Sequence, residues 1–142
     1  MNLENALFDP SAMTMDWLKT HIPDLETNKF FTADWFSNGL VNFEYVKAQM
    51  ESRPDSILEI GCHEGRSTCW MLENLLADTG TITCIDPFAH DALSAFRNER
   101  PPTNRIIEEI FCHNTSQAKL PGQTIRLMPT LSFYALAELI TQ

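Results

Sequence analysis

A glycine-bounded turn in the middle of the chain constrains its fold more than any other stretch of the sequence. Residues 59–65 read EIGCHEG; they follow the apolar run SILEI and precede RSTCWMLENLLAD, whose apolar residues recur at helical spacing. This order predicts a β-strand, a tight turn and an α-helix. Gly61 allows the chain to leave the strand with dihedral angles that a side chain opposes. We expect Gly65 to leave out a Cβ where a ligand lies against the backbone, while the loop amides and the positive end of the helix hold an anionic group.

An acidic residue follows the second predicted strand, TITCI, at residues 81–85. Asp86 lies 21 residues after Gly65, and an acid at about this separation accepts hydrogen bonds from a ribose diol in nucleotide-binding domains. Each signal is common by itself, since an Asp after a strand often only forms a turn. Their combination at two successive strand ends predicts a nucleoside-binding site.

The residues inside the turn distinguish between the possible nucleoside ligands. A pyrophosphate cofactor such as NAD or FAD favours the pattern G-x-G-x-x-G, in which the second glycine makes room for the phosphates. His63 occupies that position here, so a nicotinamide-dependent (NAD-dependent) oxidoreductase is a weaker alternative. A P-loop requires Gly-Lys-Ser/Thr after its first residues. This chain has Gly65-Arg66-Ser67 instead, which disfavours ATP and GTP.

The elements after residue 53 alternate between strand and helix. The predicted helices are residues 11–21, 42–52, 66–78, 104–113 and 132–141, and the predicted strands are residues 56–60, 81–85 and 124–128. Ser11 and Ser132 are the expected helix N-caps, and Gly80 is the expected left-handed residue that closes the third helix. Strand–helix–strand repeats pair in parallel through right-handed crossovers. The sequence therefore predicts an α/β fold, with residues 1–52 as an N-terminal helical cap and residues 53–142 as part of a Rossmann-like domain.

Charge and hydropathy exclude several classes of partner. The 142 residues include 19 acidic and 10 basic ones, for a net charge of −9. Because binding to a phosphate backbone needs clustered Lys and Arg, we expect no nucleic-acid partner. The longest apolar runs fall well short of the roughly 20 residues needed to cross a bilayer, and residues 1–10 hold two acids and no Lys or Arg, unlike a signal peptide. We expect a soluble cytoplasmic protein without a membrane partner.

The four cysteines form no C-x-x-C pair; they are Cys62, Cys69, Cys84 and Cys112. Two of them precede a histidine, which raises the possibility of zinc, but finger or ribbon spacing is missing. We therefore expect free thiols in a reducing compartment and no metal site.

A long central stretch resembles a known family. Residues 57–88, ILEIGCHEGRSTCWMLENLLADTGTITCIDPF, resemble motif I through motif II of the class I S-adenosylmethionine-dependent methyltransferases, and are most similar to the small-molecule type called methyltransferase family 24. Residues 30–46 resemble the lead-in of such proteins, and Phe111, Asn114 and residues 125–132 resemble a later part. The resemblance implies a three-layer Rossmann-like sandwich, S-adenosyl-L-methionine as cofactor and a small molecule as methyl acceptor.

The resemblance also implies roles for individual residues. Glu59 would lie near the amino group of the methionine part, the hydroxyl of Ser67 would add a contact, and Asp86 would bind the ribose. Pro87 and Phe88 would flank the adenine, and Thr130 would border its edge. The implied cofactor-binding residues are Glu59, Gly61, Cys62, Gly65, Ser67, Asp86, Pro87, Phe88 and Thr130. No general base is assigned, so the catalytic residues are left open.

Simpler interpretations stay open beside these roles. A solvated charge at a strand end also explains Glu59, and a place in the core also explains Phe88. We expect His63 and Glu64 to face solvent as loop residues. Trp35 and Phe36 are expected either to pack in the core or to line a substrate pocket.

Fewer strands are predicted than the resemblance requires. A class I methyltransferase has seven strands, and only three are recognisable here. The fourth strand, which would lie beside the first, is missing, and a bare parallel edge needs a cover. We expect a truncated or partial chain, or a homo-oligomer that completes the site. A catalytically inactive binding module with the same fold is the alternative function.

Overall fold

The computed structural model describes residues 14–22, 24–25, 27–89 and 102–142. Strands and helices alternate in the second half of the chain, as the sequence predicts. In chain order the elements are α1 (Met15–His21), a 3₁₀ turn (Ser37–Gly39), α2 (Leu40–Gln49), β1 (Ser56–Ile60), α3 (Arg66–Asn74), β2 (Thr81–Ile85), α4 (Pro102–Ala118), β3 (Thr124–Met128) and α5 (Ser132–Ile140).

The three strands form one parallel sheet in the order β1–β2–β3. Ser56 pairs with Thr81, and Thr81 pairs in turn with Thr124, so the strands start in register. All three predicted strand ranges are confirmed. Because parallel strands end at the same edge of a sheet, the loop at residues 61–65 and Asp86 come to lie next to each other.

Helices cover both faces of the sheet, which gives the three layers expected of a Rossmann-like fold. On one face, Ile82 of β2 is buried with Leu72 of α3 and Ile110 of α4. On the other face, Ile85 of β2 packs with Ala135 of α5. Ile82 and Ile85 point to opposite faces because side chains alternate along a strand. Each large aliphatic side chain buried in this way contributes roughly 1.5–3 kcal/mol, so α3 and α4 stabilise the larger core.

The helix N-caps differ from the sequence prediction. The Thr14 hydroxyl caps α1 by accepting a hydrogen bond from the Trp17 N–H; the predicted cap, Ser11, lies outside the described residues. Ser132 is the first helical residue of α5, and the N-cap position is held by Leu131, which makes no side-chain cap bond. The prediction of Ser132 as an N-cap is therefore wrong by one residue.

The third helix is shorter than predicted, and Gly80 has a different role. α3 ends at Asn74 rather than Asp78, and turns follow it. Gly80 does not adopt a positive φ. A Cβ at this position would lie 2.7 Å from Leu76 Cδ1. Glycine is therefore required at residue 80 for close packing and not for a left-handed helix end.

The second helix is Leu40–Gln49 instead of residues 42–52. It has no fully buried residue. Of the apolar residues in this part of the chain, Phe43 is partly buried against the core, whereas Val46 and Met50 are exposed. Packing by α2 is consequently weaker than its apolar residues suggest.

The fourth helix is longer than predicted, because it begins at Pro102 and continues to Ala118. Proline fits the first turn of a helix, since its missing N–H has no helical partner there. The preceding residues, 90–101, lie outside the described part of the chain. Among the described helices, none is long and apolar enough to span a membrane.

Candidate functional site

A cavity of about 460 Å³ opens at the carboxyl end of β1. The end of β1, the loop that follows it, the start of α3 and part of an N-terminal segment surround it. We call this segment, residues 28–36, the strap. The lining residues are Ala33, Trp35, Phe36, Phe43, Leu58, Glu59, Ile60, Gly61, Cys62, His63, Glu64, Arg66, Ser67 and Met71. Four of the predicted cofactor-binding residues, Glu59, Gly61, Cys62 and Ser67, are thus brought together.

The two glycines of the loop share a left-handed backbone but have different surroundings. Gly61 has φ +82° and Gly65 has φ +81°, values that strongly favour glycine. A Cβ on Gly61 would meet no atom within 4 Å. A Cβ on Gly65 would lie 3.0 Å from Phe111 Cδ2 and 3.2 Å from Thr115 Cγ2, both on α4. The space predicted for a ligand at Gly65 is thus taken by α4, and Gly61 is the glycine with open space.

Glu59 is a buried carboxyl group and not a solvated charge at a strand end. The hydroxyls of Ser67 and Thr68, both in the first turn of α3, donate to its two oxygens, and the Cys84 thiol lies 3.8 Å from Oε2. Burial raises the pKa of Glu59, and these hydrogen bonds oppose the rise. Glu59 therefore connects β1 to the start of α3. The Ser67 hydroxyl, which was predicted to contact the cofactor, donates its hydrogen bond to Glu59 instead.

Asp86 holds the loop against the end of β2. Its Oδ2 accepts a hydrogen bond from the His63 N–H at 2.8 Å, and its Oδ1 accepts one from the Phe88 N–H at 2.6 Å. A carboxylate offers about four acceptor positions, so two remain for a diol. Asp86 is not among the described residues that line the cavity, although it contacts a lining residue directly.

The residues predicted to surround adenine lie away from the described lining of the cavity. Phe88 is only 2% exposed and packs on Phe111, with ring centroids 5.8 Å apart. Pro87 and Thr130 are half-buried, and the Thr130 N–H donates to the Met128 carbonyl. The structure thus places Phe88 in the core, and contacts of these residues with adenine remain predictions.

The thiols of Cys62 and Cys69 are held in the protonated form at neutral pH. Cys62, Cys69 and Cys84 are buried and free, and Cys112 is free and exposed. The contact with Cys84, together with burial, raises the pKa of Cys62, and burial raises the pKa of Cys69 to about 12. Since the thiolate is the reactive form, Cys62 and Cys69 contribute packing and no nucleophile.

Comparison with known families bears directly on this loop and cavity. A family model described as a methyltransferase domain, methyltransferase family 24, matches residues 58–130, just over half of the chain. The match begins in β1 and ends two residues after β3, so it includes both loop glycines and Asp86. The chain belongs to this methyltransferase family. No curated protein and no solved structure matches the chain.

Two buried polar residues of the methyltransferase domain bind the strap, and sequence reasoning missed both contacts. Glu64 is 3% exposed and accepts hydrogen bonds from the Thr32 N–H, at 2.7 Å, and from the Thr32 hydroxyl. The expectation that Glu64 faces solvent is wrong. Asn114 of α4 is fully buried; its side-chain amide accepts from the Phe30 N–H and donates to the Phe30 and Glu64 carbonyls. Loop, strap and α4 are thereby joined.

Further contacts hold the strap along most of its length. At its start, His113 Nε2 lies 2.9 Å from the Asn28 carbonyl oxygen, and Lys29 forms an ion pair with Glu73 of α3. At its end, Phe36 packs near Trp70 of α3, with ring centroids 6.1 Å apart. The strap therefore forms a wall of the cavity although it lies before the residues that the family model matches, and only the resemblance of residues 30–46 to a family lead-in could have suggested this.

Proposed function

We propose that this methyltransferase domain binds S-adenosyl-L-methionine in the cavity and transfers the methyl group to a small-molecule acceptor. The observation that carries the proposal is the joint position of Gly61, the start of α3 and Asp86 at one edge of the parallel sheet. In open α/β sheets, ligands bind beyond the carboxyl ends of the strands. The family match supports methyl transfer as the chemistry.

The start of α3 fits the carboxylate of the methionine part. The N-cap position is Gly65, and no side chain caps the helix. The first N–H groups of a helix lack intrahelical partners, and together with the helix dipole they favour an anion. Ser67, the second residue of α3, lines the cavity. A carboxylate in the cavity therefore finds both donors and a favourable field.

The size and walls of the cavity fit a small organic cofactor. Its volume of about 460 Å³ lies within the range of roughly 300–1,000 Å³ that is usual for small-molecule sites. Next to Gly61, a ligand can approach the backbone closely, because the position that a Cβ would take is open. Asp86 lies behind the loop, where its remaining acceptor positions suit a ribose diol.

The protein residues contribute position and exclusion of water. When bound, the cofactor supplies a methyl group on a reactive sulfonium. The chain aligns acceptor and methyl group, which removes much of the entropic barrier to a two-body reaction. The side chains of Phe36, Phe43 and Met71 give the cavity apolar walls, which keep water from the reacting atoms.

The test is isothermal titration with S-adenosylmethionine and S-adenosylhomocysteine. Asp86→Asn should weaken both by at least about tenfold, because a hydrogen bond to a charged group is worth about 1.5–3 kcal/mol. Asp78→Asn is the matched control, since Asp78 is exposed and its ion pair among the described residues is with Arg53 at the surface. Circular dichroism establishes that each variant is folded. Absence of binding by the folded wild-type chain, or equal weakening by both variants, would overturn the proposal.

A further inference from the structure

We infer that the methyl acceptor is a flat aromatic carboxylate, bound between the rings of Trp35 and His63 and the guanidinium of Arg66. The inference rests on the proposed function, because it names the class of molecule that shares the cavity with the cofactor. All three side chains line the cavity. None of them belongs to the residues predicted to hold the ribose or the adenine, which follow β2 and β3.

Trp35 offers a large flat surface on a fixed backbone. It is 77% exposed, which is unusual for a tryptophan. The backbone on both sides of it is held: Thr32 is bound by Glu64, and Asp34 Oδ1 accepts from the Phe36 and Ser37 N–H groups. An exposed indole on a fixed wall gains much by burial against a ligand ring, and little ordering is needed.

His63 provides the second ring. Its φ of +46° is left-handed, which is unfavourable for a residue with a side chain. The hydrogen bond from its N–H to Asp86 stabilises this conformation. As a result the imidazole faces Trp35, with ring centroids 4.7 Å apart and planes inclined by 47°. The two rings form an angled platform that complements a flat molecule.

Arg66 provides a charge for which the described residues supply no full partner. The Phe31 ring covers its guanidinium at 4.3 Å. Among the described residues, its buried Nε is the side-chain atom left without a hydrogen-bond acceptor. The nearest carboxylate oxygen, Asp34 Oδ1, lies 3.7 Å away and is already used by two backbone N–H groups. The Nε is closed to solvent, but the Arg66 side chain is 34% exposed. Since a guanidinium binds a carboxylate through two parallel hydrogen bonds, its exposed part suits an anionic ligand.

The two acidic residues in the described lining of the cavity are hydrogen-bonded within the protein. The Glu64 carboxylate accepts two hydrogen bonds from Thr32. Glu59 is bound by two hydroxyls, and burial raises its pKa. The carboxylate recognised by Arg66 has two possible sources, the acceptor or the methionine part of the cofactor. The experiment below separates them.

The test measures binding of three matched probes by isothermal titration, with and without saturating S-adenosylhomocysteine. Naphthoate is aromatic and charged, naphthalenemethanol is aromatic and neutral, and decahydronaphthoate is charged and not aromatic. Naphthoate should bind at least about tenfold more tightly than either of the others. Equal binding of naphthoate and decahydronaphthoate would overturn the aromatic requirement, and equal binding of naphthoate and naphthalenemethanol would overturn the charge requirement.

Three variants assign the contacts to residues. Arg66→Gln and Trp35→Ala should each weaken naphthoate binding at least tenfold and leave S-adenosylhomocysteine binding within twofold. Trp17→Ala is the control, because Trp17 stacks on His21 in α1, outside the cavity. If Arg66→Gln weakens S-adenosylhomocysteine and not naphthoate, Arg66 serves the cofactor and the inference is wrong. Failure of the wild-type chain to bind S-adenosylhomocysteine overturns the proposed function, whereas the titrations without it report separately whether the cavity selects an aromatic carboxylate.

Discussion

Gly61 and Gly65 show how one backbone conformation can have two purposes in a single loop. Both residues are left-handed, with φ near +80°. Gly65 lies against Phe111 and Thr115, so the second glycine allows α4 to approach the loop. Gly61 lies beside open space in the cavity. The second glycine of the loop is thus required by helix packing, and the first lies beside open space in the cavity.

Alanine substitutions should separate these purposes. Gly61→Ala should lower the free energy of unfolding by about 1–2 kcal/mol, the cost of a left-handed residue with a Cβ. Gly65→Ala should cost a further 1–3 kcal/mol or so, because its Cβ overpacks against Phe111. Urea unfolding monitored by circular dichroism measures both. In titrations with S-adenosylhomocysteine, Gly61→Ala should lose affinity; equal stability of the two variants would contradict the assignment.

At the level of single residues, local pattern predicts only part of the site. The turn, its glycines and Asp86 are recognisable because their positions relative to strand ends are fixed by the fold. The burial of Glu64 is not predictable from the local sequence, because its hydrogen-bond partner Thr32 lies 32 residues away. A buried carboxylate needs hydrogen-bond donors around it, and the donors to Glu64 come from a distant part of the chain. The acidic side chain by itself therefore gives no sign that it is buried.

The position of the strap is the part of the fold that the sequence predicts least well. The strands are predicted to the residue, because β-branched apolar runs bounded by turns have few alternative structures. Helix ends are missed by several residues in α2, α3 and α4, because they depend on packing. The strap has no regular structure for most of its length, so periodicity gives no signal for it. Its position follows from hydrogen bonds to Glu64 and Asn114.

Removing the buried acceptor should loosen the strap more than removing a surface ion pair. Glu64→Gln replaces a carboxylate oxygen with an N–H donor beside the donors of Thr32, and should lower the free energy of unfolding by about 1–3 kcal/mol. Glu73→Gln removes the partly exposed pair with Lys29 and should cost about 0–1 kcal/mol. Urea unfolding compares the two.

Ligand binding gives this comparison a second readout. Glu64→Gln should also weaken naphthoate through the displaced Trp35, while Glu73→Gln should not. If the two variants behave alike in both measurements, Glu64 has no special part in positioning the strap.

For the molecule as a whole, Glu59 joins three elements, because its carboxyl group contacts residues of α3 and β2 from its own place in β1. Desolvation is the main cause of its raised pKa. A carboxyl group with a higher pKa in the folded state binds its proton more tightly there than in the unfolded chain. Glu59 therefore stabilises the folded state fully at a pH below 4.5, its ordinary pKa. This contribution to the free energy of unfolding is lost as the pH rises through the raised pKa of the folded state.

Glu59→Gln should remove this contribution, since glutamine does not titrate. The unfolding free energy of the variant minus that of the wild type should increase as pH rises from about 4 to about 8. Urea unfolding at a series of pH values measures the difference, in which the other titrating groups cancel to first order. A difference that is independent of pH, or that falls with rising pH, would show that Glu59 does not titrate as its burial requires.

The boundary predicted at residue 52 does not separate two independent parts of the molecule. The predicted cap, residues 1–52, and the predicted α/β part, residues 53–142, are connected by the buried bonds of Glu64 and Asn114 to the strap. The α/β alternation and the family resemblance were sufficient to predict the sheet and its three layers. They were insufficient for the site, because one wall of the cavity comes from before that boundary.

The bonds between Asn114 and Phe30 also have a consequence for the order of folding. These residues are 84 positions apart, whereas each strand pairs with the next strand along the chain. Loop closure over a longer separation costs more chain entropy, and Asn114 can accept the strap only when α4 is in place. We therefore expect the sheet and its helices to form first and the strap to dock last. Local opening follows the reverse order, so the strap is expected to open at a lower free-energy cost than the sheet.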